Sequence, residues 1–564
     1  MRTYLSFFIL CLISLYASGQ SNTTPEYKEV ITAYQELAAA YPKVCKLLTG
    51  GATDSGKPLH LFVIDPTGYF KPTEKDKRNM PVCLIMNGIH PGEPCGINAS
   101  IAFAREKVAN PDKNVVYCII PVYNIGGALN RNSHSRANQN GPESYGFRGN
   151  AKNLDLNRDF IKCDSKNALS FTALFQEWRP EVFIDTHTSN GADYQPNITL
   201  ISSFPEKLIP MQAKFLEMEF EPFLYNNMKE KGDEMIPYVN VFGKSPDGGI
   251  EAFTDLPRYS MGYTSLFNTI SFTTEAHMLK PFDQRVASTL NFLNAMSTFL
   301  VSRGDILVEM KKVADARTAE MKSFKYNWKL TSSSDSIEFP GFKADSVLSE
   351  VTGLYQLVYL RDEPYRKNIP YYHTHEGQDV AKLPESFLIP QAYDDVITRL
   401  KMNQIKVDKL KQDTLIEVTS TYIDSFKTVD YPYEGHCLHY NTSVIKRKQK
   451  VQFYAGDYFI KTKGQESRRY LAQVLTPEAE DSFFNWGFFD SSLGQKEYFS
   501  SYVYDETARM ILERNPSLRR AFEAKRQADF DFSQNARAQL EYIYVNSENY
   551  EITHKRLPVF EVGE

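Results

Sequence analysis

At the end of the apolar run Val82 to Met86 the chain reads Asn87-Gly88-Ile89-His90-Pro91-Gly92-Glu93. A histidine and a glutamate three apart, on the tight loop leaving a buried strand, can face one cation, one with nitrogen and the other with carboxylate oxygen. A third donor, His187, ends another strand-like run, Val182 to Thr188. Strand carboxyl ends are where open α/β sheets gather their ligands. Two imidazoles and one carboxylate with an open fourth position form the donor set of a catalytic zinc. Taken singly, each histidine reads as a hydrogen-bonded loop residue; the combination carries the signal, together with the ionic run Asn153-Leu154-Asp155-Leu156-Asn157-Arg158-Asp159 between them.

The elements that must position these residues follow from periodicity. Short apolar, β-branched runs (Leu59 to Ile64, Val82 to Met86, Val115 to Val122, Val182 to Asp185) alternate with amphipathic segments such as Ile97 to Val108 and Ala168 to Trp178. That alternation predicts an α/β domain, a mixed sheet flanked by helices. A surface helix precedes it from Pro25 to Tyr41, and helical text follows Phe282 through Met321. From about Tyr326 to Lys463 the pattern turns alternating and aromatic, as in Leu415-Ile416-Glu417-Val418. This predicts a β-rich accessory domain with a helical C-terminal part around Asp505 to Leu512 and Asn535 to Tyr542. The expected divisions are 1–19, 20–322 and 323–564, with the accessory domain separable and a protease-sensitive junction between about 305 and 330.

Four ordered motifs resemble the zinc metallocarboxypeptidase family of carboxypeptidase A: His90 with Glu93, the Asp155-x-Asn157-Arg158 run, His187, and Glu275 in Ile270-Ser271-Phe272-Thr273-Thr274-Glu275. They span roughly residues 24 to 305, and nothing comparable covers the C-terminal part. The resemblance implies one Zn²⁺ per chain held by His90, Glu93 and His187, which lowers the pKa of its bound water. It makes Glu275 the general base and Asp155 the carboxylate that orients His90. Asn157 and Arg158 become the clamp for a substrate's terminal carboxylate, a two-oxygen acceptor suited to a guanidinium fork. Arg148, ahead of its rivals Arg131 and Arg136, is expected to stabilise the oxyanion. Tyr263, ahead of Tyr259, is expected to close over substrate. Digestive members carry arginine where this chain has Gly92, which weakens inference about substrate and leaves the zinc chemistry intact.

Composition excludes other classes. Hydrophobic residues at 42% and charged residues at 24% are ordinary for a globular chain, against disorder or coiled coil. A formal charge of −5 leaves no basic excess for nucleic acid. Gly51 to Lys57 has phosphate-loop spacing, but Pro58 follows and supplies neither hydroxyl nor N–H. No G-x-S-x-G elbow is present. The pairs His373/His375 and His436/His439 read as turn histidines. Arg2, the apolar stretch Leu5 to Tyr16 and Ala17-Ser18-Gly19 read as a signal peptide, so a secreted or periplasmic protein with no stable membrane anchor is expected. Cys45, Cys83, Cys95, Cys118, Cys163 and Cys437 remain for pairing that the sequence does not choose. The reading is an exported zinc metallocarboxypeptidase acting on peptides or proteins. The alternatives are a zinc amidase or deacylase on the same scaffold, such as one cutting cell-wall peptides, and a binding protein that has lost catalysis.

Overall fold

A computed structural model describes residues 22–72 and 79–563; the signal peptide read at 1–19 lies outside the described residues. In chain order the first part runs α1 (Tyr27–Ala40), β1 (Cys45–Ala52), β2 (Pro58–Ile64), β3 (Val82–Asn87), α2 (Cys95–Ala109), β4 (Val116–Ile120), α3 (Lys166–Trp178), β5 (Val182–Ser189), β6 (Ile198–Ser202) and β7 (Met235–Pro237). It continues with β8 (Asn240–Val241), β9 (Ile250–Glu251), α4 (Ser260–Ser265), β10 (Ile270–His277) and α5 (Phe282–Glu320). Eight strands form one mixed sheet in the order β1-β2-β4-β3-β5-β10-β6-β7. Its centre, β4-β3-β5-β10, is parallel, so β3, β5 and β10 end at one edge. Within the run Gly51 to Lys57, Gly51 and Ala52 end β1 and Thr53 to Lys57 make the turn of the antiparallel β1–β2 hairpin.

The strands alternate, and both faces are covered. Cys83 and Ile85 of β3 face a cluster with α1, α2 and α5, including Tyr34, Phe103 and Phe299. Leu84 and Met86 face the opposite cluster, with Phe171 and Phe175 of α3. Burial on both sides explains why β3 is apolar throughout rather than alternating with polar residues.

That second cluster does not stop at α3. It runs on through Phe324, Tyr326, Phe387, Ile389, Tyr470, Phe483, Trp486 and Val559, so the α/β sheet and the C-terminal strands share one core. The C-terminal part contains a six-stranded sheet, long hairpins and the helices Ser501–Arg514, Pro516–Ala528 and Ala536–Val545. Pro516 starts its helix, capped by Asn515, whose side chain accepts the Leu518 N–H. The change of texture at 323 has a counterpart: α5 ends at Glu320 and a strand begins at Ser323. Only Met321 and Lys322 separate them. Among the described residues the six cysteines form no disulfide, and five of them are buried. Among the described residues no helix is long and apolar enough to cross a membrane.

Candidate metal and catalytic centre

His90 sits just beyond β3, where Gly88 has φ +66° and the Glu93 N–H closes a turn onto the His90 carbonyl at 2.8 Å. The left-handed backbone at Gly88 lets the chain reverse within three residues. His187 lies in β5, every residue of which is buried. Glu275 lies in β10 as the direct register partner of His187, and is the single residue of that strand not fully buried. The loop after β3 and the ends of β5 and β10 therefore converge, as their parallel order requires.

His90, Glu93 and His187 are 3, 4 and 5% exposed, and each offers a donor atom within 4.8 Å of the others. The orientation of both rings is set from behind. His90 Nε2 lies 2.9 Å from Asp155 Oδ1 and His187 Nε2 lies 3.0 Å from Asp185 Oδ2. Each ring thereby turns Nδ1 toward Glu93, at 3.5 Å and 3.2 Å. A carboxylate behind one ring nitrogen holds the proton there and leaves the other a lone pair, the arrangement that makes imidazole a metal ligand. The donor set thus fits a divalent zinc-like cation.

Charge in the centre is finely balanced. Burial pushes the Glu93 carboxyl up, but Arg136, His90 and His187 outweigh it and hold it well below the usual range. Burial alone would lower His187, yet Asp185 and Glu93 hold its imidazole well above its ordinary value. Glu275 is pushed up to about 8 by burial and by the Glu93 and Asp185 carboxylates, against an opposing pull from His187. A carboxylate poised near neutrality in a cleft suits proton transfer.

Asp155 organises the neighbouring run. It caps the short turn Leu156–Arg158 by accepting the Asn157 N–H at 2.9 Å. Its second oxygen accepts from Arg148 Nε at 3.0 Å and pairs with Nη2 at 2.9 Å. Asn157 Oδ1 accepts the Ser260 N–H at 3.4 Å, and Ser260 Oγ donates to Asp185 at 2.6 Å. A chain of polar contacts thus connects Asn157 to the carboxylate behind His187. Arg158 lies over the Tyr259 ring at 4.6 Å.

These residues line one cleft of about 480 Å³: His90, Glu93, Arg136, Arg148, Asn157, Arg158, His187, Tyr259 and Glu275 all face it. Tyr263 does not. It is fully buried against Phe160, Phe175 and Tyr470, and its hydroxyl donates to Asn403 at 2.7 Å. Tyr259 has extended backbone at the start of α4 and stays on the cleft side, whereas Tyr263 lies one turn into the helix and packs inward. Of the two tyrosines weighed from sequence, Tyr259 lines the cleft and the preferred Tyr263 does not. Arg136, only a rival in the sequence, contacts Glu93 Oε1 at 2.8 Å. It also explains Gly92, where a Cβ would come within 2.8 Å of Arg136 Cδ. Asp185 was missed as well; its place two residues before His187 on one strand face was the available signal. The histidine pairs make no metal cluster among the described residues: His373 and His436 pair with Asp335 and Asp164, and His375 stacks on Phe204.

Residues 30–233 match the profile of the zinc carboxypeptidase family, peptidase M14. Carboxypeptidase 2 of Trichophyton tonsurans is 23% identical over 440 residues, covering 73% of this chain and 74% of that protein. Carboxypeptidase 2 of Trichophyton equinum matches at the same identity and coverage. Among solved structures, a metallo-carboxypeptidase from Burkholderia cenocepacia aligns at 15% identity and a TM-score of 0.38, over 49% of this chain and 70% of that one. The carboxypeptidase A of Helicoverpa armigera aligns at 15% identity and a TM-score of 0.37, over 53% and 81%.

Proposed function

We propose that this chain, whose residues 30–233 match the zinc carboxypeptidase family, is an exported peptide hydrolase that removes C-terminal residues from peptides or proteins bearing a free terminal carboxylate. The observation that carries this reading is the meeting, in one cleft, of the His90–Glu93–His187 donor set, the Glu275 carboxylate and the Arg158 fork. His90, Glu93 and His187 would hold one zinc per chain. When bound, zinc supplies Lewis acidity, lowering the pKa of a coordinated water and polarising a carbonyl.

The chain's own residues do the rest. Glu275, its carboxyl raised by burial, accepts a proton from the attacking water and returns it to the leaving amine. Arg158 and Asn157 bind the terminal carboxylate, which fixes the last peptide bond at the centre. Arg148, with Arg136 beside it, faces the developing oxyanion, and Tyr259 covers the clamp. Asp155 and Asp185 keep the two imidazoles turned inward. The units 20–322 and 323–564 are proposed as catalytic and accessory parts, and residues 1–19 as the leader. The amidase alternative remains the rival to be tested, because it would use the same donors and base without the clamp.

Chelation tests the metal half of this reading. Removing metal with a chelator should abolish release of the terminal residue from a free peptide, and one equivalent of zinc should restore it. Undiminished activity in metal-free protein would refute it.

A further inference from the structure

The C-terminal part meets the residues behind the cleft at a tight turn, Tyr433-Glu434-Gly435-His436. Tyr433 and His436 exchange backbone hydrogen bonds at 2.7 and 3.1 Å. Glu434 and Gly435 both have positive φ, +50° and +86°, as a two-residue hairpin turn of this hand requires. Glycine takes that conformation without cost; glutamate does so against steric resistance. What the strained position achieves is visible: Glu434 Oε2 accepts the backbone N–H of Asp155 at 2.7 Å. The residues on either side also cross to the catalytic part. Tyr433 Oη accepts from Arg158 Nε at 2.9 Å, and His436 Nε2 pairs with Asp164 at 2.6 Å.

We propose that this turn is a positioning element for the carboxylate clamp, through which the C-terminal part sets how tightly the enzyme holds the free terminus of its substrate. The inference rests on reading Arg158 as that clamp. Arg158 donates from Nη1 to the Asn157 carbonyl at 2.8 Å and from Nε to Tyr433, and it makes no hydrogen bond through Nη2 to any described residue. Its nearest carboxylate, Asp155 Oδ2, is 3.8 Å away. A guanidinium released at Nε would close that gap and pair with Asp155 rather than face the cleft, because the partly buried cation is attracted to the nearest carboxylate. The Tyr433 hydroxyl opposes this collapse. Tyr433 is itself held: its ring stacks on Trp486 with centroids 6.2 Å apart, and Arg258 covers both rings while pairing with Asp481 at 2.8 Å. Asp155, fixed by Glu434, in turn carries His90 and Arg148. Neither Tyr433 nor Glu434 need touch substrate, so both act through Arg158 and Asp155.

Steady-state kinetics of the full chain, on one peptide as free acid and as amide, test this. Tyr433→Phe removes only the hydroxyl. Loss of one hydrogen bond to a charged group should raise KM for the free acid about tenfold and shrink the acid-over-amide preference by the same factor. Zinc content, melting temperature and kcat should hold. Glu434→Ala should act in the same direction, and Glu434→Gln should restore the parent behaviour, because its amide oxygen still accepts the Asp155 N–H. If the parent enzyme prefers the acid and Tyr433→Phe keeps both KM and preference, the positioning role is overturned while the clamp stands. A parent enzyme without preference refutes the clamp itself. Equal loss on both peptides, with a lowered melting temperature or lost zinc, would show Tyr433 to be merely structural and would also overturn the proposal.

Discussion

The α/β part and the C-terminal part contribute to the cleft in opposite ways. The first supplies every metal-donor candidate and Glu275 from strand ends and the loop beside them. Among the described residues the second supplies no donor; it completes the core against α3 and props Asp155 and Arg158 from behind. Groups that do chemistry are brought together here by parallel strand order, which sequence periodicity reveals. Groups that hold them come from 275 and 279 residues away, with no pattern in common.

The difference can be broken most severely by truncation. A chain ending at residue 322 would expose the face of α3 and α4 that packs on Tyr470, Trp486 and Phe483. Several aromatic side chains at about 1.5–3 kcal/mol each exceed the net stability of a domain. Such a chain should be insoluble or molten by near-UV circular dichroism; a cooperative melt with zinc bound would show instead that the first part stands alone. Glu275→Gln keeps shape and removes the proton acceptor, so turnover should fall by about a hundredfold or more with zinc retained. Wild-type turnover in that variant would move the base elsewhere.

Zinc binding should weaken toward acid pH. Against burial, Asp185 and Glu93 raise the His187 imidazole above its ordinary pKa, and a metal competes with the proton for that ring. Affinity, measured by competition with a fluorescent chelator, should therefore rise as pH increases through the neutral range, and a flat profile would contradict the raised imidazole. The smallest effect separates the two tyrosines. Tyr263→Phe should cost roughly 1–2 kcal/mol of stability through the lost bond to Asn403 and leave kinetics unchanged. Tyr259→Phe should alter KM instead; the reverse outcome would reinstate Tyr263 in the cleft.

The same contrast shows what could be read from the sequence. His90, Glu93, His187 and Glu275 were legible because each ends, or directly follows, an apolar run whose burial dictates a strand. Asp155, Asn157 and Arg158 were legible as a compact ionic run. Tyr263 was misplaced because its position depends on where helix α4 begins, at Ser260 rather than earlier, and one residue decides which tyrosine faces the core. The shared core was not legible at all, since alternating aromatic text in the C-terminal strands fits a separate sandwich as well as a sheet packed on α3. Gly92 made sense only once Arg136 was found lying across it.

The central claim is that the cleft is built around a terminal carboxylate. Mass analysis of one peptide, incubated with the enzyme as free acid and as C-terminal amide, tests it most directly. The account predicts stepwise loss of single C-terminal residues from the acid and little or none from the amide. Equal cleavage of the two would contradict it, leaving Arg158 as an internal partner of Asp155 and the enzyme as an amidase.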